Sequence, residues 1–117
     1  MTSNTALRRL HETSARQLLD AIQASKQHSL RDELIKTAVR YARLRCDWYL
    51  GDLEQRVQID QNRTLAHNVF IDACNILARN MQQAGEDISW RRSLGTDRKL
   101  IGDFACYLHC LIGIDGR

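Results

Sequence analysis

The chain has 117 residues, 44% of them hydrophobic and 26% charged, which excludes a disordered protein and allows a buried core. The formal net charge of +3 gives no support for nucleic-acid binding, and no segment approaches the ~20 apolar residues of a membrane span. Because the N-terminus lacks the apolar core of a signal peptide, we expect a cytoplasmic protein with a single domain over residues 1–117.

The first predicted element is a helix from about Thr5 to Gln27. The chain contains no proline, and it lacks the alternating β-branched segments that are typical of strands. The apolar residues of this segment recur instead at helical spacing. They are Leu7, Leu10, Leu18, Ala21 and Ile22.

A second helix is predicted from Ser29 to Leu50, with Ser29 and Asp32 resembling a capping box and Gly51 as the terminating residue. It carries two apolar edges on different sides. One edge contains Ile35, Val39, Ala42, Cys46 and Tyr49, and the other contains Leu34, Tyr41, Leu44 and Trp48. Two edges predict two packing partners, which are either two helices of one bundle or one helix and another subunit.

The remaining elements complete an all-α fold, predicted as an up-down four-helix bundle. Residues 52–60 are compatible with a continuation of the second helix or with a separate turn. A third helix is expected over Gln61–Gln83, ending at Gly85, followed by an additional short helix near 87–94 that Asp87 caps. The last helix should begin at Thr96 or Asp97 and end near Ile112. Its core face is Leu100, Ile101, Phe104, Leu108, Leu111 and Ile112.

The third helix carries a narrow polar stripe. At 100° per residue, Asn68, Asp72, Asn75 and Arg79 lie along one line, and most of the remaining circumference is apolar. This pattern predicts a mostly buried, central helix. The stripe either faces water or forms a polar seam. In a seam, its oxygens would accept hydrogen bonds from arginines of the segment that contains Arg91, Arg92 and Arg98.

Arg63 and His67 lie one helical turn apart on the apolar side of the same helix. They resemble the Arg–His nuclease motif of the helical HEPN family, in which the two residues would act on an RNA phosphodiester. Gln61 stands where the arginine of that motif should precede Asn62, and Arg63 is only four residues before His67. The other reading places both side chains at the rim of the bundle. The whole candidate polar site is Arg63, His67, Asn68, Asp72, Asn75, Arg79, Trp90, Arg91, Arg92 and Arg98.

The cysteines and the basic residues of the second helix indicate no further chemistry. Cys46, Cys74, Cys106 and Cys110 are expected to be reduced thiols, and no metal ion or cofactor is predicted. A small-residue face on the last helix favours close approach of another helix, in the bundle or in a dimer mate. It contains Gly102, Cys106, His109, Cys110 and Gly113. Lys36, Arg40 and Arg43 share a face with acids on either side, so a solvated face is expected and nucleic acid is not.

Three motifs occur in order between Arg63 and Ala105: "RTLAHNVFIDACNILARNM", "GEDISWRRSLG" and "DRKLIGDFA". In this third of the chain the sequence resembles an uncharacterised family of small bacterial α-helical proteins, classed as a domain of unknown function. The resemblance implies a bacterial or phage origin and a helical fold. It implies no activity and assigns no site residues.

The leading expectation is a non-enzymatic interaction protein that forms a homodimer, with an unidentified protein partner as a further option. No catalytic residue is assigned. The alternative is a small HEPN-like RNase or a nucleotide- or RNA-binding module that uses the candidate polar site. A third reading, compatible with the first, is that the polar residues of the third helix form an internal network that fixes the register of the bundle.

Overall fold

Five α-helices make up most of residues 12–115, the part of the chain that the computed structural model describes. They are α1 (Glu12–Gln23), α2 (His28–Leu50), α3 (Leu53–Gln83), α4 (Ser89–Leu94) and α5 (Arg98–Asp115). No strand occurs within these residues, so the predicted all-α class is confirmed. The predicted start of the first helix at Thr5, with Leu7 and Leu10, falls outside the described residues.

The four long helices pack with α2 at the centre. A connection of two residues joins α2 to α3, so the two helices run antiparallel, and they share the largest interface in the fold. α2 also packs against α5, and α5 packs against α1. Both partners of α2 therefore lie within the same bundle, which is the first of the two alternatives that its apolar edges had left open.

The core contains side chains from all five helices. Phe70 of α3 and Phe104 of α5 meet near its middle, with ring centroids 6.4 Å apart. The short α4 adds Trp90 and Leu94, both buried, where it packs against α1 and α3. The predicted core face of the last helix is largely confirmed, because Ile101, Phe104, Leu108 and Leu111 are buried.

Two predictions at the ends of the first two helices were wrong. α1 ends at Gln23 rather than at Gln27. α2 begins at His28 after Gln27, and no side chain caps it, so Ser29 and Asp32 do not form a capping box. The Asp32 carboxylate lies instead 3.5 Å from the guanidinium of Arg31.

Residues 52–60 are neither a continuation of α2 nor a separate turn, because they form the first two turns of α3. A capping box starts this helix. The Asp52 side chain accepts a hydrogen bond from the Gln55 backbone N–H at 2.9 Å, and the Gln55 side chain accepts one from the Asp52 N–H at 2.9 Å. The preceding Gly51 ends α2 in an extended conformation, with φ −81° and ψ 158°, and not in a left-handed one.

The breaks around α4 follow the sequence prediction. Gly85 takes φ +78°, a conformation that L residues rarely adopt, and it ends the segment after α3. Asp87 accepts hydrogen bonds from the backbone N–H and the hydroxyl of Ser89, at 3.1 and 2.8 Å. The predicted capping by Asp87 was nevertheless wrong, because Ile88 is the N-cap of α4 and no side chain caps this helix. Asp97 accepts hydrogen bonds from the first backbone N–H groups of α5.

The prediction that the third helix is mostly buried was wrong. Its 31 residues extend for about 46 Å, and α2, α4 and α5 cover only one side of it. Leu65, Val69 and Ile76 are exposed to 53%, 51% and 43%, and Leu53 and Val57 are exposed further still. The apolar arc of this helix is therefore wider than the surface that the other residues of the described range bury.

Gly102 sets the distance between α2 and α5. A Cβ atom at this position would lie 2.9 Å from the hydroxyl of Tyr41 and 3.3 Å from a carbon of its ring, and Tyr41 is itself buried. The small-residue face of the last helix thus accommodates a neighbour in the bundle at this position. At the other end of this face, a Cβ atom added to Gly113 would have no side chain or neighbouring backbone within 4 Å.

Replacing Gly102 by alanine should lower the free energy of unfolding by roughly 1 kcal/mol, as measured by chemical denaturation. Alanine gains about 1 kcal/mol in helix propensity, but overpacking a tight interior contact costs about 1–3 kcal/mol. Gly113→Ala is the matched control and should leave stability unchanged or slightly raised, since its Cβ meets open space. Equal stability of the two variants would show that the contact with Tyr41 does not limit helix approach.

Candidate functional site

A cluster of arginines and aromatic rings lies where α2, α3 and α5 meet. The ring of His67 on α3 stacks on Tyr41 of α2, with centroids 4.7 Å apart and planes 26° from parallel. Arg98, in the first turn of α5, places one guanidinium nitrogen 3.5 Å from His67 Nδ1 and 2.7 Å from Asn68 Oδ1. Because arginine only donates hydrogen bonds, this contact favours the neutral tautomer that carries its proton on Nε2.

Two further arginines border the histidine, and each pairs with a carboxylate. Arg45 of α2 donates to Asp103 at 2.7 Å and also reaches the sulfur of Cys106 at 3.7 Å. Arg63 donates to Asp60 at 2.8 Å, in the preceding turn of α3. These carboxylates compensate two of the three positive charges, while the hydrogen-bond partners of Arg98 are uncharged.

Trp48 is the aromatic platform of the cluster. The guanidinium of Arg63 lies 4.5 Å from its ring centroid, and that of Arg56 lies 4.6 Å from it. Such contacts hold long side chains in place through the negative face of the ring. The Arg56 side chain also donates to the backbone oxygens of Trp48 and Tyr49 at the end of α2, at 2.9 and 3.2 Å.

The surroundings of His67 disfavour its charged form. Burial lowers the pKa of the imidazole, and the positive charges of Arg98, Arg45 and Arg63 lower it further. Within the described residues, His67 Nε2 and Arg63 Nε are buried nitrogens without an acceptor. The cluster thus has more hydrogen-bond donors than acceptors.

The polar stripe of α3 is exposed throughout, and it also contacts two arginines. Asn68 accepts from Arg98, and Asn75 accepts from Arg91 at 2.8 Å. Asp72 and Arg79 are exposed and make no hydrogen bond to the arginines that follow α3 in the described chain. Both readings of the stripe therefore hold in part, since water and two guanidinium groups face it.

The candidate residues of α4 do not converge on His67. Trp90 is a core residue with 1% of its surface exposed, and its indole nitrogen is buried without an acceptor among the described residues. Arg91 donates to Asn75 and to the backbone oxygen of Gly95. Asn75 lies two turns along α3 from His67. Arg92 is exposed. Of the ten candidates, the structure brings together Arg63, His67, Asn68 and Arg98.

Tyr41, Arg45, Trp48 and Asp103 belong to the cluster and were not among the predicted site residues. Tyr41 and Trp48 lie on one predicted apolar edge of α2, but nothing local showed which helix that edge faces. Arg45 falls between the two, one turn after Tyr41. Its carboxylate partner Asp103 is 58 residues away in sequence, so their pairing depends on the tertiary packing.

The cysteines do not form a metal site in the described residues. No group of three His, Cys, Asp or Glu side chains is placed to hold a metal ion there. Burial raises the pKa of the Cys74 thiol to about 12, and burial raises that of Cys106 as well. Both thiols are therefore protonated at neutral pH, which makes them poor nucleophiles.

A groove runs along the outer side of the α2–α3 pair and consists of three adjoining depressions. Two of them share Thr37 and Val69, and the third shares Arg40 with one of these. We call it the α2–α3 groove. The depression beside Glu33 and Asp72 measures about 210 Å³, and the next one along the groove measures about 120 Å³. The apolar lining of the groove comes from Leu30, Leu65, Val69, Ala73 and Ile76.

The two ends of the α2–α3 groove carry opposite charges. Glu33 and Asp72 line one end, and Lys36, Arg40 and Arg43 line the other. Glu33 and Arg40 are seven residues apart on α2, which separates them by about 10 Å along the helix axis. The basic face that the sequence predicted as solvated is thus the basic end of this groove.

Comparison with known proteins identifies no relative: no family model, curated protein or solved structure matches the chain. The resemblance to a bacterial domain of unknown function therefore stays a prediction, as does a cytoplasmic location. Among the described helices, none has the length and apolar character needed to cross a membrane.

The lowered pKa of His67 predicts that stability falls in acid. The unfolded chain takes up a proton near the ordinary histidine pKa of about 6.5, whereas the folded chain resists protonation until a lower pH. The free energy of unfolding should therefore decrease as pH falls from 7.5 to 5.5. His67→Gln should show a smaller decrease in parallel denaturation experiments. His28→Gln, at an exposed histidine, is the control and should follow the wild type; a His67→Gln profile identical to wild type would contradict the assignment.

Proposed function

We propose that the protein is a non-enzymatic helical assembly protein that forms a homodimer through the α2–α3 groove. The observation that carries the proposal is the exposed row of Leu65, Val69 and Ile76 along this groove. Each of these side chains leaves about half of its surface in contact with water. Contiguous apolar surface of this kind is typical of protein–protein interfaces.

The charges of the groove support a second copy of the chain as the partner. In a two-fold interface the same surface patch occurs on both subunits, so the patch must be complementary to itself. A two-fold axis near Thr37 and Val69 would place the Glu33 end of one groove against the Arg40 end of the other. The midpoint between Glu33 and Arg40 falls beside Thr37, which contacts the same depressions as Val69.

Apolar contact and charge have different roles in this dimer. Burial of apolar surface contributes about 25 cal/mol per Å², so the exposed row supplies most of the binding energy. Ion pairs at the exposed rim contribute about 0–1 kcal/mol each. Their main effect is on orientation, since a parallel arrangement would place like charges opposite each other.

The contacts of His67 give less support to the RNase alternative. A general base needs an accessible ring nitrogen that can reach the proton it removes. Here Arg98 covers Nδ1, and Nε2 is buried. The positive charges around the ring also hold its pKa below the ordinary value.

Substitution of Val69 by lysine should convert the dimer to a monomer. Lysine would place a charge in the centre of the apolar row, where its desolvation opposes association. Size-exclusion chromatography with light scattering at micromolar concentration measures the mass directly. Val57→Lys is a matched control on the same helix, also at an exposed valine, and should remain dimeric. A wild-type protein that is monomeric throughout this range would overturn the proposal.

Exchange of the charges tests the two-fold arrangement. Glu33→Arg alone would bring two basic ends together and should weaken the dimer several-fold, as should Arg40→Glu alone for two acidic ends. The double variant Glu33→Arg, Arg40→Glu only interchanges the ends and should recover much of the affinity. Sedimentation equilibrium gives the dissociation constants. Additive weakening in the double variant would rule out this arrangement.

A further inference from the structure

The cluster around His67 has an uncompensated positive charge at an exposed position. Arg45 and Arg63 each pair with a carboxylate, whereas Arg98 bonds only the neutral Asn68 and His67. Arg98 is exposed, so its guanidinium is open to a ligand from solution. Solvent weakens the field of an exposed charge, but two further arginines behind it add to the local positive potential.

The donors of this cluster exceed its acceptors. His67 Nε2 and Arg63 Nε are buried without acceptors among the described residues, and they lie one turn apart on α3. The contact between Arg98 and His67 Nδ1 is long for a hydrogen bond, at 3.5 Å. An anion oxygen placed between Arg98 and a protonated Nδ1 would accept a hydrogen bond from each of them.

We propose that Arg98 and His67 bind a tetrahedral oxyanion, such as the phosphate group of a phosphorylated ligand. One anion oxygen inserts between the Arg98 guanidinium and Nδ1 of the imidazole, in place of their long direct contact. The ring then takes up a proton at Nδ1, so that both groups donate to the anion.

The charged groups that face His67 come from three helices. Arg63 and its partner Asp60 lie on α3, Arg45 lies on α2, and Arg98 lies on α5 with Asp103, the partner of Arg45. Each carboxylate is bonded to its own arginine rather than to the imidazole. The backbone of Arg98 already favours the protonated ring, and an anion would favour it further, so binding should take up a proton.

This site is independent of the proposed dimer. His67 and Val69 are two residues apart on α3, which places them about 160° apart around the helix. The oxyanion site and the α2–α3 groove therefore lie on opposite sides of α3. A variant that disrupts one should leave the other intact, and Val69→Lys should still bind the anion.

The test uses inorganic sulfate first, because its charge stays constant over the pH range in which His67 titrates. NMR titration of the His67 ring in the full-length protein should show saturable sulfate binding and a rise of the His67 pKa with sulfate present. Affinity should be higher at pH 6 than at pH 8. Absence of saturable binding, or a His67 pKa that does not respond to sulfate, would overturn the proposal.

Variants separate this site from general charge attraction. Arg98→Ala should weaken binding by at least about tenfold, as expected for loss of a charge-assisted hydrogen bond. Asn68→Asp should do the same while leaving Arg98 and His67 in place, because it supplies the carboxylate that Arg98 lacks. Arg92→Ala removes the same charge from an exposed position on α4 and should bind as the wild type does. Equal weakening in Arg92→Ala and Arg98→Ala would show non-specific attraction and contradict the site.

Three phosphate sources identify the form of the ligand. Inorganic phosphate, a 5′-mononucleotide and a short single-stranded RNA should all compete with sulfate if the phosphate group is what the site recognises. Tighter binding of the mononucleotide than of inorganic phosphate would support a phosphorylated small molecule. RNA binding that sulfate does not displace, and that Arg98→Ala does not weaken, would overturn the assignment.

Discussion

The packing of Tyr41 is the constraint on which the rest of the structure depends. This buried ring touches Gly102 of α5 at one end and stacks on His67 of α3 with its face. The absence of a side chain at Gly102 lets α5 approach α2 closely enough for Arg45 to reach Asp103. The same approach brings the first turn of α5, with Arg98, over the imidazole. The packing of this one ring thus sets the relative positions of three helices and of the arginines that they carry.

This arrangement leaves the outer side of α3 uncovered by the other helices between residues 12 and 115. α2 and α5 occupy one side of the helix, where Phe70, Cys74 and Leu77 are buried. With 31 residues, α3 is longer than its neighbours, and its apolar side chains extend beyond the surface that those neighbours cover. The uncovered part adjoins the basic and acidic residues of α2. The result is a groove that is apolar in the middle and oppositely charged at its ends.

The sequence predicted where the helices lie better than it predicted which residues contact each helix. Helical periodicity placed the long helices, and Gly85 and Asp87 marked a real break, because these signals depend on neighbouring residues alone. The capping box at Asp52 and Gln55 is also a local signal, and the sequence prediction missed it. Periodicity shows that Leu65 and Val69 belong to an apolar face, but it does not show whether the same chain covers that face. The partners of Arg45 and Arg98 were out of reach for the same reason, since they are more than 25 residues away.

The hydrogen-bond partners of the asparagines in the α3 stripe give these residues a physical role. Asparagine is a poor helix former, so its recurrence at positions 68 and 75 lowers the intrinsic stability of the helix. Both side chains accept a hydrogen bond from an arginine while leaving its charge uncompensated. An aspartate would accept the same bond and neutralise the guanidinium. Neutral acceptors therefore orient Arg98 and preserve its charge, which is the combination that an anion-binding site requires.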